Sequence, residues 1–306
     1  MTRSLITRVG GTAGHCSQGA TERLLKALDA LAEADGLDAV AQPLKRVIKA
    51  LPLGRARDVL HGLPLGHPLH PALVQIPIGA WTCAAVLDLT PGARRPAHLM
   101  VALGVITAVP SAWSGWVDWA EQHDQQMRTG LVHALGVGAA IVLYGGSWAA
   151  RGRGRHGLGR LLGFTGAAAA TAGAFLGGHV AYRQGAGTNK TEPVAHLVGP
   201  GWHPLGRLAD LQVGRPARRT VGGVPLLVVR ESEDTVHVLA GWCSHLAGPL
   251  TEGEIVDGCV RCPWHGSLFR LADGWNVGGP ATAPQPRFET RVDGDGVLHV
   301  RLPEAG

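Results

Sequence analysis

Two short stretches near the C-terminal end of the chain carry the side chains best suited to chemistry: Cys243-Ser244-His245 and Cys262-Pro263-Trp264-His265, with sixteen residues between His245 and Cys262. Thiolates and imidazoles together suit zinc or iron. A C-x-H paired with a C-x-x-H is not the ligand spacing of a zinc finger, which weighs against a Cys₂His₂ zinc site. The alternative is a [2Fe–2S] centre in which two thiolates hold one iron and two neutral imidazoles hold the other. Imidazole brings no negative charge, so such a cluster accepts an electron more readily than an all-thiolate one. Its potentials run from about −150 to +300 mV, against about −400 mV for plant-type ferredoxins.

The elements that must position these residues are strands. From about Trp202 the chain reads as short runs, VPLLVVR, TVHVLAG, EIVDGCVRC, RFETRV and VLHVRL, separated by Gly, Asp and Pro. Asp293-Gly294-Asp295-Gly296 has the composition of a hairpin turn. A compact, mostly antiparallel β domain of roughly 100 residues follows from this pattern.

The text CSHLAGPLTEGEIVDGCVRCPWHGSLFRLADG, followed by GPATAPQPRFETRV, resembles the Rieske iron–sulfur domain family over about residues 202–303. The resemblance implies one [2Fe–2S] cluster per subunit. Cys243 and Cys262 would ligate one iron, and His245 and His265 the second, exposed iron. Pro280 would lie in the loop that covers the cluster, and Ser267 would place a hydroxyl near it. Rieske proteins of the cytochrome bc complexes add a cysteine to each cluster loop and bridge them. Those positions here are Gly248 and Trp264, so no such disulfide can form, and Cys259 reads as a plain strand residue. The position of a second hydroxyl, from Tyr, is taken by Phe269. Fewer hydrogen bonds to the cluster imply a lower potential and the ferredoxin-like branch of the family. No long catalytic region follows the domain, so the mononuclear iron centre of a Rieske oxygenase is not expected.

The rest of the chain has a different composition. Of 306 residues only 17% are charged and 45 are Gly. Residues 71–87, 96–117, 129–150 and 161–182 contain no Asp, Glu, Lys or Arg, and each is close to the ~20 residues a helix needs to cross a bilayer. Pro77 and Pro110 should kink their spans. Trp81, Trp113, Trp116, Trp119 and Trp148 lie mostly toward span ends. The net charge is +5, and Lys and Arg fall mostly in the first 60 residues and in short loops between apolar runs, which fits a membrane protein and not nucleic-acid binding. Five cysteines without a framework argue against a disulfide scaffold, and the N-terminus lacks the apolar core of a signal peptide.

The opening His67-Pro68-Leu69-His70-Pro71 resembles an uncharacterised family of bacterial four-helix membrane domains, over about residues 64–182. Four spans return the chain to the side where it began. His67 and His70 precede span one, Asp118 ends span two, His133 opens span three and His179 closes span four, all on the face from which the Rieske domain hangs. Ionisable residues in spans are functional candidates, and this set would suit a quinone or a haem. The bland reading is that they bond across helices or to head groups. Orientation is balanced: nine Lys and Arg in the first 70 residues oppose Arg94, Arg95, Arg151, Arg153, Arg155 and Arg160. Cluster assembly in the cytoplasm decides for a cytoplasmic Rieske domain on a multi-pass protein of the inner membrane.

The expected organisation is therefore multidomain. An N-terminal amphipathic helical segment (1–66) leads to a four-helix transmembrane bundle (67–182). A linker (183–201) joins that to an all-β Rieske domain of antiparallel sheets (202–306). Leu24, Leu25, Leu28 and Leu31, then Leu44, Val47, Ile48 and Leu51, recur at helical spacing in the first segment, with Gly36 and Pro43 interrupting. A cap on the chain's own bundle is favoured over a helix lying on the membrane. The expected function is a membrane-anchored one-electron carrier between a membrane donor such as quinone, or a protein, and an acceptor. The rivals are a redox or iron sensor and an electron-transfer subunit of a separate oxygenase or reductase. No nucleophile–base pair points to intrinsic catalysis. The bilayer and a redox partner are the expected partners.

Overall fold

The computed structural model describes residues 20–303. Cys16 and the stretch read as lacking a signal peptide lie outside them. Three helices come first: α1 (Ala20–Ala32), α2 (Asp38–Ala50) and α3 (Arg55–His61). Ala41 and Ile48 of α2 are buried against Trp119, Ala120, Met127 and Leu131, so this segment caps the bundle. Arg128 fixes the cap. Its guanidinium donates to both carboxylate oxygens of Asp38, at 2.8 and 2.6 Å, and to the Ala32 carbonyl at 2.8 Å. Gly36 interrupts the helices as expected, but Pro43 lies inside α2. Burial of the face carrying Ala41 and Ile48 holds the helix through the proline.

The apolar part comprises α4 (Leu69–Leu73), α5 (Gln75–Asp88), α6 (Arg94–Trp119), α7 (Asp124–Gly152) and α8 (His156–Gly178). Together with the turn that extends α8 to Arg183 they make four helices long and apolar enough to cross a membrane, and the four charge-free runs fall within them. The break at Val74 between α4 and α5 comes where the Pro77 ring would meet the carbonyl of Leu73. Pro110 sits within an uninterrupted α6.

Small residues let these helices touch. A Cβ on Gly104 would lie 2.1 Å from the indole nitrogen of Trp81, which stacks on Tyr144 at 4.2 Å. A Cβ on Gly173 would lie 2.8 Å from Val137, so α7 and α8 pack backbone to backbone. Leu99, Ile106, Val142, Leu161 and Phe175 stay exposed on the outside, as lipid-facing side chains do. At the end remote from the β domain, Arg151 donates to the carboxylate of Asp88, and both side chains are buried.

Among the described residues the β domain has ten strands in two sheets. The larger has the order β1 (His203–Arg207), β10 (Val297–Arg301), β9 (Arg287–Val292), β4 (Val236–Ala240), β3 (Val224–Arg230), β2 (Pro216–Val221), all antiparallel. The smaller is β5 (Glu254–Val256), β6 (Cys259–Arg261), β7 (Leu268–Arg270), β8 (Asn276–Gly278). The β9–β10 hairpin turns at Asp293, whose carboxylate accepts from the N–H groups of Asp295 and Val297. One core, with Leu226, Val228, Val238 and Phe288, fills the large sheet; the second, with Leu227, Leu239, Val260 and Phe269, takes in Cys243 and Cys262.

Residues 183–201 are not a free spacer. Helix α9 (Val194–Leu197) inserts the fully buried Val194 into the core of the large sheet. The Lys190 N–H donates to the Ser244 carbonyl, and the Trp242 indole donates to the Lys190 carbonyl. Apolar side chains at 194 and 198 gain burial that a solvated linker would forgo.

Candidate metal centre and the cavity beside it

The two loops that carry the Cys-His motifs, β4–β5 and β6–β7, are built on one plan. The Cys243 N–H donates to the Gly248 carbonyl, and the Ala247 N–H returns to the Cys243 carbonyl. In the other loop, the Cys262 N–H donates to the Ser267 carbonyl and the Gly266 N–H to the Cys262 carbonyl. The fifth residue of each turn has positive φ: +60° at Ala247 and +77° at Gly266. A side chain at such an angle costs about 1–2 kcal/mol. Ala247→Gly is expected to raise stability by about 1 kcal/mol, read as a higher temperature of cluster release.

The loops set their cysteines side by side and their histidines side by side, as two pairs. Cys243 and Cys262 are buried and their thiols interact directly. The Cys243 thiol, with the N–H groups of Trp264 and His265, pulls Cys262 down to about 6 despite its burial. Hydrogen bonding with Cys262 and burial push Cys243 up. The two imidazoles face each other with ring centres 5.1 Å apart and planes at 89°. Burial, with the field of His265, drives His245 down to about 3. Burial, with Lys49 and Lys45, drives His265 down to about 4. Both imidazoles are therefore neutral, the form that binds a metal.

Nδ1 of His245 is buried with no hydrogen-bond partner. A buried unpaired nitrogen is unfavourable unless something outside the protein fills it. Two thiols and two neutral imidazoles on matched loops, one with an orphaned nitrogen, fit a two-iron cluster and not a single ion. Among the described residues no group of three or more metal-binding side chains converges on one point.

Residues 201–289 match the family model of the Rieske [2Fe–2S] domain. The ferredoxin subunit of anthranilate 1,2-dioxygenase from Burkholderia cepacia is 36% identical over 101 residues, which is 33% of this chain and 92% of that protein. The chain belongs to the Rieske [2Fe–2S] family. Its Rieske domain carries a [2Fe–2S] cluster, and its role is one-electron transfer. The oxygenase component of 3-ketosteroid-9-alpha-monooxygenase from Rhodococcus rhodochrous is 38% identical over 65 residues, 21% of this chain but only 17% of that protein. A solved structure, the ferredoxin of carbazole 1,9a-dioxygenase from Nocardioides aromaticivorans IC177, shares 26% identity. It covers 33% of this chain and 98% of its own, with a TM-score of 0.31. Residues 66–190 match the family described as predicted membrane protein (DUF2231), so the four apolar helices belong to a membrane protein.

A third loop of the Rieske domain, around Pro280, ties the two ligand loops together. The Ala281 N–H donates to Ser267 Oγ at 3.0 Å, and Ser244 Oγ donates to the Ala283 carbonyl at 2.8 Å. Ser267 Oγ also bonds the Cys243 sulfur, which offsets a small part of the upward push from Cys262 and burial. Gln285, which sequence reasoning missed, accepts from the Ser244 N–H and donates to the carbonyls of Ala240 and Trp242. Phe269 is fully buried in the core that holds both cysteines, and it brings no hydroxyl. Phe269→Tyr is expected to raise the midpoint potential by donating toward a cluster ligand, as protein-film voltammetry would show. An unchanged potential would mean that the hydroxyl does not reach.

The end of the Rieske domain that carries His245 and His265 does not face solvent alone. A cavity of about 490 Å³ lies between the Rieske domain and the bundle, lined on one side by Ser244, His245 and Pro280 and on the other by His67, His70, Asp118 and His133. His265 and Trp264 sit beside His123, at 6.4 and 5.4 Å between ring centres. The Gly279 N–H donates to Asp58 at 2.9 Å, joining the Pro280 loop to α3. The Rieske domain is thus docked on its own bundle through its cluster end.

Of the membrane residues singled out from sequence, His67 stands exposed at the rim, while His70, His133 and Asp118 line the wall. His179 does not join them. It turns away toward Asp29 of α1, with Nε2 3.3 Å from that carboxylate. Sharing a depth in the bundle did not mean sharing a face. His61, not singled out from sequence, is buried in the wall, and its Nδ1–H donates to Asp118 at 2.8 Å. It lies in RARDVLH, a segment with no motif to mark it.

Proposed function

We propose that this chain is a membrane-anchored electron carrier that takes electrons from the membrane side and passes them to a separate oxidoreductase. Cys243 and Cys262 hold one iron of the cluster, and His245 and His265 hold the other. The observation that carries this reading is the shared cavity, because it joins His245 to the interior of a membrane domain. Quinol is the class of donor that the membrane phase supplies. It gives up two electrons and two protons, and the cluster takes one electron at a time. The buried His61–Asp118 pair is a proton acceptor in the cavity wall. The acceptor is a protein of the oxygenase or reductase class, by analogy with the dioxygenase ferredoxin. We place the Rieske domain on the cytoplasmic side of the inner membrane, where clusters are assembled.

The test is reduction of the cluster in proteoliposomes that contain quinol, followed by the EPR signal of the reduced cluster. The expected result is reduction, slowed in His61→Ala with the oxidised cluster spectrum unchanged. Reduction by a soluble ferredoxin reductase, with none by quinol, would overturn the membrane-side donor.

A further inference from the structure

The cavity wall contains two histidines arranged in the same way on the two halves of the bundle. His70 opens the first span, and its Nδ1–H donates to the carbonyl of Ser111 on the second, at 2.8 Å. His133 is near the start of the third span, and its Nδ1–H donates to the carbonyl of Gly173 on the fourth, at 2.7 Å. Each ring lies over the glycine one turn further on. A Cβ on Gly115 would stand 2.8 Å from His70 Nδ1, and one on Gly177 would stand 2.9 Å from His133 Cε1. All four spans therefore serve to hold two imidazoles.

The consequence is chemical. With Nδ1 committed to a carbonyl, each ring has a fixed tautomer whose Nε2 has a free lone pair, the preparation seen in metal-ligating histidines. Among the described residues neither Nε2 has a hydrogen-bond partner, and both rings line the cavity. The ring centres are 6.4 Å apart with planes at 90°. Two imidazoles on opposite faces of one metal, each bonded at about 2 Å, have centres roughly 6 Å apart. No third ligand of that kind converges among the described residues, which a haem, supplying four nitrogens of its own, does not need. The space of about 490 Å³ is of the size that takes a cofactor.

We propose that His70 and His133 are the axial ligands of a haem held in the bundle, beside the Rieske cluster. The inference rests on the reading of this chain as a carrier fed from the membrane side, and it names the redox group on that side. Ferrous haem gives one electron to the oxidised cluster and becomes ferric; no bond forms or breaks and no proton moves. His245 lines the same cavity, so the transfer stays within the protein.

The experiment is haem and sulfide analysis of the full chain purified in detergent from haem-replete cells. The expected result is about one haem per chain, with about three iron atoms for two sulfides. The ferric protein should show the strongly anisotropic low-spin EPR signal of crossed imidazole planes. His70→Ala and His133→Gly should each lose the haem and keep the cluster, and added imidazole should restore haem binding to His133→Gly. That rescue separates loss of a ligand from loss of the fold. Cys262→Ala should keep the haem and lose the cluster, so a missing haem and a missing cluster are told apart. Wild-type protein with an intact cluster, no haem and no uptake of added hemin would overturn the proposal and leave the carrier reading standing. Haem retained in both histidine variants, or stoichiometric quinone in its place, would overturn it as well.

Discussion

Cys243→Ala and Cys262→Ala should each yield protein with no acid-labile sulfide, while His265→Ala weakens the cluster without the same completeness. On the proposed assignment one cluster iron is held by these two thiolates and cannot keep its coordination with one, and the two sulfurs lie in the core that carries Leu227, Leu239, Val260 and Phe269. Either cysteine is buried too deeply for water to replace its thiolate without repacking. The loops themselves are held by backbone hydrogen bonds within each turn and by Ser267 and Gln285, so the β domain should remain folded by circular dichroism. Wild-type protein that contains zinc and no sulfide would sink the assignment; iron and sulfide analysis decides it.

The second large effect is expected at the far end of the bundle. Asp88→Ala should destabilise the membrane domain by about 3–5 kcal/mol, because it strands a buried guanidinium. Arg151 is 4% exposed; besides Asp88 it has the Ser147 hydroxyl and the Gly159 carbonyl as acceptors, neither of which carries a charge. Much of that loss is the penalty of an unpaired charge and not the worth of the pair. The double variant Asp88→Leu with Arg151→Met should therefore recover most of the stability. Denaturation in mixed micelles, followed by helix content, measures both. A single variant as stable as wild type would show that water or lipid phosphate reaches Arg151.

The carrier and its membrane half meet through contacts that few sequence features announce. Lys49 is a case: it pairs with Glu121 at 2.7 Å and lends positive charge to the surroundings of His265. Nothing in the spacing of α2 shows that the helix lies beside a cluster formed some 200 residues later in the chain. The same holds for Asp58 and the Gly279 N–H, and for His123 beside His265.

What the sequence by itself determined is whatever depends on local chemistry. Cysteine and histidine at C-x-H and C-x-x-H spacing mark a Rieske domain because each such loop is a short, self-contained turn. Charge-free runs of bilayer length specify spans because every backbone group in lipid must be bonded within its own helix. Alternating runs broken by Gly and Asp specify the antiparallel sheets. Tertiary structure alone decided which side chains share a space. It brought His61 to Asp118, turned His179 toward Asp29, and set His70 and His133 as a matched pair over Gly115 and Gly177. It also made a packed strap of the segment around Val194. The reason is geometric: each helix residue rises about 1.5 Å along the axis, so depth in a bundle can be read from position in the chain. The partner that a side chain faces depends on how the helices are rotated and crossed against one another, and close-packed small residues on several spans decide that together.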